Sequence, residues 1–245
     1  MGYQINYDFK SNNYSKRNDQ KIEFIIIHCV GLTPKKAIDV FADKKVSSHY
    51  LLGRQNKPIL QLVDDKYAAY HAGISFWQDR QALNTSSIGI ELVSTGFDDV
   101  KEKYGTYSDH QIELLINLCQ NLITKYQIKP QNILGHSDIA PMRKIDPGPN
   151  FPWQKLAQNN IGMWPNKQDI QYFSRKIPQS ISIGYFQQNL AKLGYQITVT
   201  DRYDAKTKDC LKAFQMHFRP SNYQAIPDQE TLAILLSLIK KYKIS

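Results

Sequence analysis

Up to residue 165, apolar positions alternate between the spacing typical of strands and the spacing typical of helices. Compact or alternating apolar runs predict strands at 23–30, 48–52, 59–63, 87–93 and 132–135. Apolar residues at helical spacing predict helices at 35–44, 109–126 and 154–159, with Ser108 as the N-cap of the second. Strands that alternate with helices indicate an α/β domain in which helices flank one mixed central sheet.

The two ends of the chain follow other patterns. Residues 1–20 are polar and predict an extended arm, whereas 21–165 carry the α/β pattern. The polar stretch 166–177 predicts a linker, and helical spacing over 178–245 predicts a small three-helix domain. We therefore expect an N-terminal arm, a large α/β domain of the size of a catalytic domain, a linker and a small helical domain.

Composition and charge limit the kinds of molecule that the protein is expected to bind. Hydrophobic residues make up 42% and charged residues 22% of the 245 positions, which is ordinary for a globular protein. The longest apolar run, at 24–27, is far too short for a transmembrane segment. The net charge of +9 would attract a polyanion such as an acidic cell-wall polymer, although a genome that favours lysine explains it equally well. No nucleic-acid-binding motif is found, so nucleic acid is not an expected partner.

Three cysteines are present, and their wide spacing and odd number do not suit a disulfide framework. Cys29, Cys119 and Cys210 each lie beside apolar residues, so we expect small buried side chains. Cys29 follows His28 in a predicted strand, and the alternation of a strand turns it to the opposite face.

Two histidines and one aspartate stand where metal ligands are often found. His28 lies near the end of the first strand, His136 follows another strand, and Asp146 comes shortly afterwards in a loop rich in proline and glycine. Two imidazoles and a carboxylate form a suitable donor set for zinc, with a fourth position left for water. The residue types alone leave open that these histidines only pack or form hydrogen bonds.

Six short segments occur in a fixed order and carry a family resemblance. They are IHC (27–29), SSHYL (47–51), HAG (71–73), SIGIEL (87–92), GHSDIAP (135–141) and KIDPGP (144–149). Together they resemble the type 2 N-acetylmuramoyl-L-alanine amidases, the AmpD/AmiD group of zinc enzymes that is related to phage amidases and peptidoglycan-recognition proteins. The resemblance implies a mixed sheet flanked by helices, with one zinc ion per chain held by His28, His136 and Asp146.

The same resemblance implies the remaining site residues. Glu91 and Lys144 match the catalytic pair: Glu91 would move protons between water and the leaving amine, and Lys144 would stabilise the oxyanion. A surface ion pair is the alternative for Glu91, and a solvated charge is the alternative for Lys144. The implied substrate contacts are His49, Tyr50, His71 and Trp77. His49 has the alternative of a core histidine bonded to the backbone, and Asp138 is expected to orient a ligand or to cap a turn.

The C-terminal segment resembles the type 1 peptidoglycan-binding domain over about residues 178–245. The resemblance lies in the segments 184–190, 193–195 and 213–220. The usual Asp-Gly before the second helix is replaced by the sequence DRYD at 201–204, and a domain that only packs against the first is the alternative.

These resemblances imply an enzyme that acts on peptidoglycan or muropeptides. The expected reaction is hydrolysis of the amide between N-acetylmuramic acid, or its 1,6-anhydro form, and the L-alanine of the stem peptide, in wall turnover or recycling. A non-catalytic peptidoglycan recognition protein and a phage-type lytic amidase are the alternatives. We expect a location in the bacterial cell envelope, in the periplasm or at the outer membrane and with any leader removed; the cytoplasm is the alternative.

Overall fold

The computed structural model describes residues 3–43, 45–55, 57–98, 103–178 and 180–244. The strands are β1 (Ile5–Asn6), β2 (Tyr14–Lys16), β3 (Phe24–Val30), β4 (Tyr50–Leu52), β5 (Ile59–Gln61), β6 (Tyr67–Ala69), β7 (Phe76–Trp77), β8 (Arg80–Gln81), β9 (Ser87–Val93), β10 (Phe97–Asp98), β11 (Lys103–Tyr104) and β12 (Ile133–Gly135). The helices are α1 (Pro34–Asp43), α2 (Asp109–Tyr126), α3 (His136–Ile139), α4 (Trp153–Gln158), α5 (Lys167–Lys176), α6 (Ile183–Leu193), α7 (Ala205–Phe218) and α8 (Gln229–Lys241).

The main sheet is mixed, in the strand order β1-β5-β4-β9-β3-β12. Strand β3 runs parallel to both of its neighbours, β9 and β12, whereas β4 is antiparallel to β5. The run of isoleucines in β3 is fully buried, as expected for a central strand covered on both faces. The predicted mixed sheet flanked by helices is therefore confirmed.

Helix α2 covers one face of this sheet. Its apolar stripe packs against Ile25 and Ile27 of β3 and against Ile90 of β9 in one buried cluster. Ser108 caps the helix by accepting a hydrogen bond from the backbone N–H of Gln111, as the sequence predicts. Because side chains alternate along a strand, His28 must face the other side of the sheet.

That other face is covered from two directions. Helix α1 packs over Leu51 and Val93. The C-terminal helices cover Phe24 and Ile26, which share one buried cluster with residues of α6, α7 and α8. His28 is buried on the part of this face between the two coverings, near the carboxyl end of β3.

The C-terminal region is helical, as predicted, but its helices begin earlier than expected. Helix α5 occupies most of the predicted linker 166–177, with Asn166 as its N-cap. Ile170 and Phe173 pack against the C-terminal core, and the polar residues around them hide this narrow stripe in the sequence. The domain boundaries stay a prediction.

Several short strands also differ from the sequence prediction. In the predicted arm, β1 pairs with β5 and β2 pairs with β6. These pairs depend on backbone hydrogen bonds at sheet edges, which leave little trace in side-chain patterns. Among the described residues, no helix has the length and hydropathy needed to cross a membrane. Cys119 and Cys210 are buried, Cys29 is half-buried, and all three are free thiols.

Candidate active site

Three side chains converge at the edge of the sheet. His28 lies on β3, and His136 starts α3 directly after β12, so the parallel pairing of these strands brings the two rings together. The two Nδ1 atoms are 2.9 Å apart. Asp146 Oδ2 lies 3.4 Å from Nδ1 of His28 and 3.2 Å from Nδ1 of His136. Three donor atoms from separate parts of the chain thus face one point.

The chemistry and spacing of these donors fit zinc. Four ligands placed tetrahedrally at zinc–nitrogen distances would be about 3.3 Å apart, close to the observed separations. Burial, with His136 as the second cause, lowers the pKa of His28 to about 4 and keeps its imidazole neutral, as a metal ligand must be. Burial alone would raise the pKa of Asp146, but His136 and His28 outweigh this effect and lower it, so the carboxylate is ionised.

Each histidine is oriented by a partner on its far side. His28 Nε2 lies 2.9 Å from Nδ1 of His71, whose Nε2 lies 3.1 Å from the hydroxyl of Ser87. The Ser87 hydroxyl donates to the carbonyl of Leu83, so its oxygen accepts from Nε2 of His71. Nδ1 of His71 then accepts from Nε2 of His28, which leaves Nδ1 of His28 without a proton and able to bind a metal. His136 Nε2 lies 3.2 Å from the Ala72 carbonyl and is oriented in the same way. His71, which the sequence predicts as a substrate contact, is thus buried behind His28.

Gly89 leaves the space that the ring of His71 occupies. A Cβ atom placed at Gly89 would lie 2.4 Å from Cγ of His71, far inside van der Waals contact. We expect Gly89→Ala to displace the His71 ring and to lower the free energy of unfolding by about 1–3 kcal/mol, measured by urea denaturation. Gly53→Ala is the matched control, because no atom lies within 4 Å of its added Cβ. An unchanged midpoint for Gly89→Ala would contradict the packing argument.

Glu91 stands beside His28, because the two residues pair in register on β9 and β3. Only 7% of its surface is exposed, and its Oε2 has no hydrogen-bond partner. Burial raises the pKa of Glu91 well above its usual range, the charge of Asp146 adds to the rise, and Lys144 opposes it. A buried carboxyl group that is unsatisfied and has a raised pKa is suited to accept and return a proton.

Lys144 lies two residues before Asp146. Its backbone N–H donates to the Ala140 carbonyl at 3.0 Å, in the turn that connects α3 to Asp146. The positive charge of Lys144 lowers the pKa of both His28 and Glu91. The structure therefore brings His28, His136, Asp146, Glu91 and Lys144 into one site.

The remaining predicted contacts lie elsewhere. His49 is fully buried; its Nδ1 accepts from the Gly89 N–H, and its Nε2 faces the Tyr67 carbonyl. Tyr50 pairs with Ile90, so it faces α2, and its hydroxyl donates to Asp65. These two side chains are held inside the domain, away from the cleft.

Trp77 is also fully buried. Its ring contacts Tyr195 edge to face, with the ring centres 5.0 Å apart, and its indole N–H donates to the Gln131 carbonyl. The structure thus places Trp77 between the two domains, where it has no surface to offer a substrate. Local sequence could not indicate this burial, because Gly194 and Tyr195, which lie against the Trp77 ring, come more than 100 positions later.

Sequence reasoning missed the rim of the cleft. The Arg143 guanidinium donates to the carbonyls of Ala72 and Ile74 and so ties two loops together beside His136. Ile74 is 85% exposed and Met142 is 54% exposed, although both are apolar. Exposed apolar side chains next to a polar cluster are a common feature of binding clefts.

Comparisons with known proteins agree with this geometry. A family model described as N-acetylmuramoyl-L-alanine amidase matches residues 18–149, and a peptidoglycan-binding-domain model matches residues 182–235. The N-acetylmuramoyl-L-alanine amidase AmiD of Escherichia coli (strain K12) is 38% identical over 98% of this chain and 89% of the relative.

Solved structures extend the similarity to both domains. The complex of E. coli AmiD with the substrate anhydro-N-acetylmuramic acid-L-Ala-D-gamma-Glu-L-Lys has a TM-score of 0.86 and 37% identity, and the match covers 100% of this chain and 97% of that one. AmpDh3 from Pseudomonas aeruginosa, in complex with anhydromuramic pentapeptide, has a TM-score of 0.84 and 33% identity, with 98% of each chain covered. Because the family model spans more than half of the sequence and the E. coli relative is similar along nearly its whole length, this chain belongs to the N-acetylmuramoyl-L-alanine amidase family.

Proposed function

We propose that the chain binds one zinc ion through His28, His136 and Asp146 and hydrolyses the amide between N-acetylmuramic acid and L-alanine. The observation that carries this proposal is the convergence of three donor atoms beside the unpartnered, buried carboxyl oxygen of Glu91. A metal site with three protein ligands and a neighbouring proton acceptor is typical of zinc hydrolases. The substrate class follows from family membership and from the muropeptides bound to the two relatives.

Each residue of the site has a separate role in the hydrolysis of the amide. When bound, zinc would supply a Lewis acid and lower the pKa of water toward neutrality. Glu91 takes a proton from the attacking water as its oxygen bonds to the carbonyl carbon. Lys144 places a positive charge near the oxygen that becomes negative. The carbon–nitrogen bond then breaks, and the proton held by Glu91 passes to the amine of L-alanine, which leaves with the stem peptide.

The cleft also suggests how the substrate is held. We propose that Ile74 and Met142 contact apolar parts of the muropeptide, because both are exposed on loops joined by Arg143 beside the metal cluster. The anhydromuramic ligands bound to the two relatives favour acceptance of the 1,6-anhydro form. A role in wall turnover or recycling, and a location in the cell envelope, are consistent with the peptidoglycan-binding-domain match.

Metal removal tests the proposal directly. We expect the purified chain to contain one zinc ion, to release a peptide with a free L-alanine amine from a defined muropeptide, and to stop doing so after chelation. Added zinc should restore cleavage, whereas added magnesium should not, because two imidazoles are poor ligands for a hard cation. Cleavage that persists after complete zinc removal would exclude this mechanism, and bound zinc without cleavage would favour a recognition protein.

A further inference from the structure

One buried carboxylate joins the two domains next to the metal cluster. Asp138 lies on α3, two residues after His136, and its side chain is 1% exposed. Its Oδ2 accepts from the backbone N–H of Gly135 at 2.7 Å and lies 2.7 Å from Nδ1 of His217. Its Oδ1 accepts from the hydroxyl of Tyr195 at 2.6 Å. Two of its three partners therefore come from the C-terminal domain.

This carboxylate holds the backbone that carries the proposed ligands. The Gly135 N–H that it binds belongs to the residue before His136, so Asp138 fixes the start of α3. The N–H of Ser137, the residue after His136, donates to the carbonyl of Asp146 at 2.8 Å. Two of the three metal ligands are thus linked through α3. A buried carboxylate that loses hydrogen-bond donors becomes costly to keep in place, so α3 depends on the C-terminal domain.

Tyr195 is itself held rigidly. It follows Gly194, whose carbonyl accepts from the Gln78 N–H at 2.8 Å. A Cβ atom at Gly194 would lie 2.6 Å from the Trp77 ring, so the loop after α6 lies directly on that indole. The Tyr195 hydroxyl therefore reaches Asp138 from a fixed position.

His217 is equally constrained. Its ring stacks on Trp153, with the ring centres 3.8 Å apart, and on its neighbour Phe218 at 3.9 Å. Trp153 also packs close to Gly135. The stacked rings leave the imidazole one direction in which to form a hydrogen bond through Nδ1, and that direction points to Asp138.

We propose that Tyr195 and His217 are positioning residues of the metal site, which act on His136 through Asp138. This inference rests on the zinc ligands proposed above. The C-terminal domain then has a task separate from any contact with the wall: it completes the support of the catalytic centre in the other domain. Partners of this kind behind a metal ligand contribute to metal affinity, although they never touch the ion.

Zinc affinity measured by competition with a chromophoric chelator tests this role without relying on turnover. Tyr195→Phe removes one hydroxyl and keeps the ring on Trp77, and His217→Phe removes the donor and keeps the stack. We expect the combined variant to bind zinc about 10-fold more weakly or worse, by analogy with lost outer partners of metal ligands. His217→Asn should recover most of the affinity lost in His217→Phe, because its amide N–H can replace Nδ1 as donor.

The control is Tyr203→Phe, which removes a hydroxyl that donates to the carbonyl of Ala225 within the C-terminal domain. Tyr203 is not one of the hydrogen-bond partners of Asp138 described above. The Tyr203→Phe variant should bind zinc as the wild type does. Wild-type zinc affinity in the combined variant, or in Tyr195→Phe alone if the combined variant does not fold, would overturn the inference. Zinc-loaded wild-type protein that cleaves no muropeptide would refute the proposed function and leave this comparison of affinities intact.

Discussion

The His28→Ala variant is expected to bind no stoichiometric zinc and to cleave muropeptides on the order of 10³-fold more slowly or worse, because the metal supplies several kcal/mol of transition-state stabilisation. His28 contributes one of three donor atoms, and two protein ligands with an added water hold zinc far more weakly than three. Zinc content after gel filtration and the rate of peptide release measure the two effects. Far-UV circular dichroism shows whether the sheet survives.

His110→Ala is the matched control for this variant. His110 lies on α2, on the opposite side of the sheet from the metal cluster, so its loss should change neither zinc content nor cleavage. Full zinc occupancy in His28→Ala would show that the ligand set has been assigned wrongly. If His28→Ala loses both its zinc and the native far-UV spectrum, the variant has unfolded. His136→Ala would then serve as the second test of the same site.

The Glu91→Gln variant should keep its zinc and lose turnover by about 10²–10⁴-fold, the usual contribution of a general acid–base group. Glutamine has the same shape as glutamate but cannot accept and return a proton at this position. Because Glu91 is buried without a partner at Oε2, replacing it with a neutral side chain should not destabilise the fold. A kcat that falls with little change in KM, alongside full zinc content, is the expected result.

Glu113→Gln on the exposed side of α2 removes the same charge far from the cleft and should have no effect. Near-normal turnover in Glu91→Gln would show that another group moves the proton. Loss of zinc in this variant would indicate that Glu91 belongs to the ligand set rather than to the proton path.

Sequence reasoning predicted best where one strong local pattern sets the structure. The isoleucine run of β3, the fully buried strand β9 and the capped stripe of α2 each appear in the structure within one residue of the predicted bounds. The convergence of His28, His136 and Asp146 was also predictable, since these residues occur together with the family motifs. Local sequence is informative for the strands and for α2 because each depends on residues close together in the chain, whereas His28, His136 and Asp146 lie far apart and were linked only by the family motifs.

The environment of individual side chains was harder to predict. Trp77, in a segment that resembles the substrate groove of the family, is buried by Gly194 and Tyr195 of the other domain. Helix α5 was hidden because its few apolar residues gain their partners from the C-terminal core, in which α5 packs against α8. In both cases the deciding contact lies far away in the sequence, and neither periodicity nor composition records it.

The buried cluster shared by the sheet and the C-terminal helices has a consequence for how the enzyme would search the wall. A binding module on a flexible linker lets its catalytic partner sample a volume set by linker length. Here the two domains are docked through a common core, so a glycan strand held by the C-terminal domain would present its stem peptides to the cleft from one direction and at one distance. Cleavage would then favour stem peptides that lie at a fixed distance from the point where the C-terminal domain holds the glycan. Lengthening the segment before α5 would not let the active site reach stem peptides farther away.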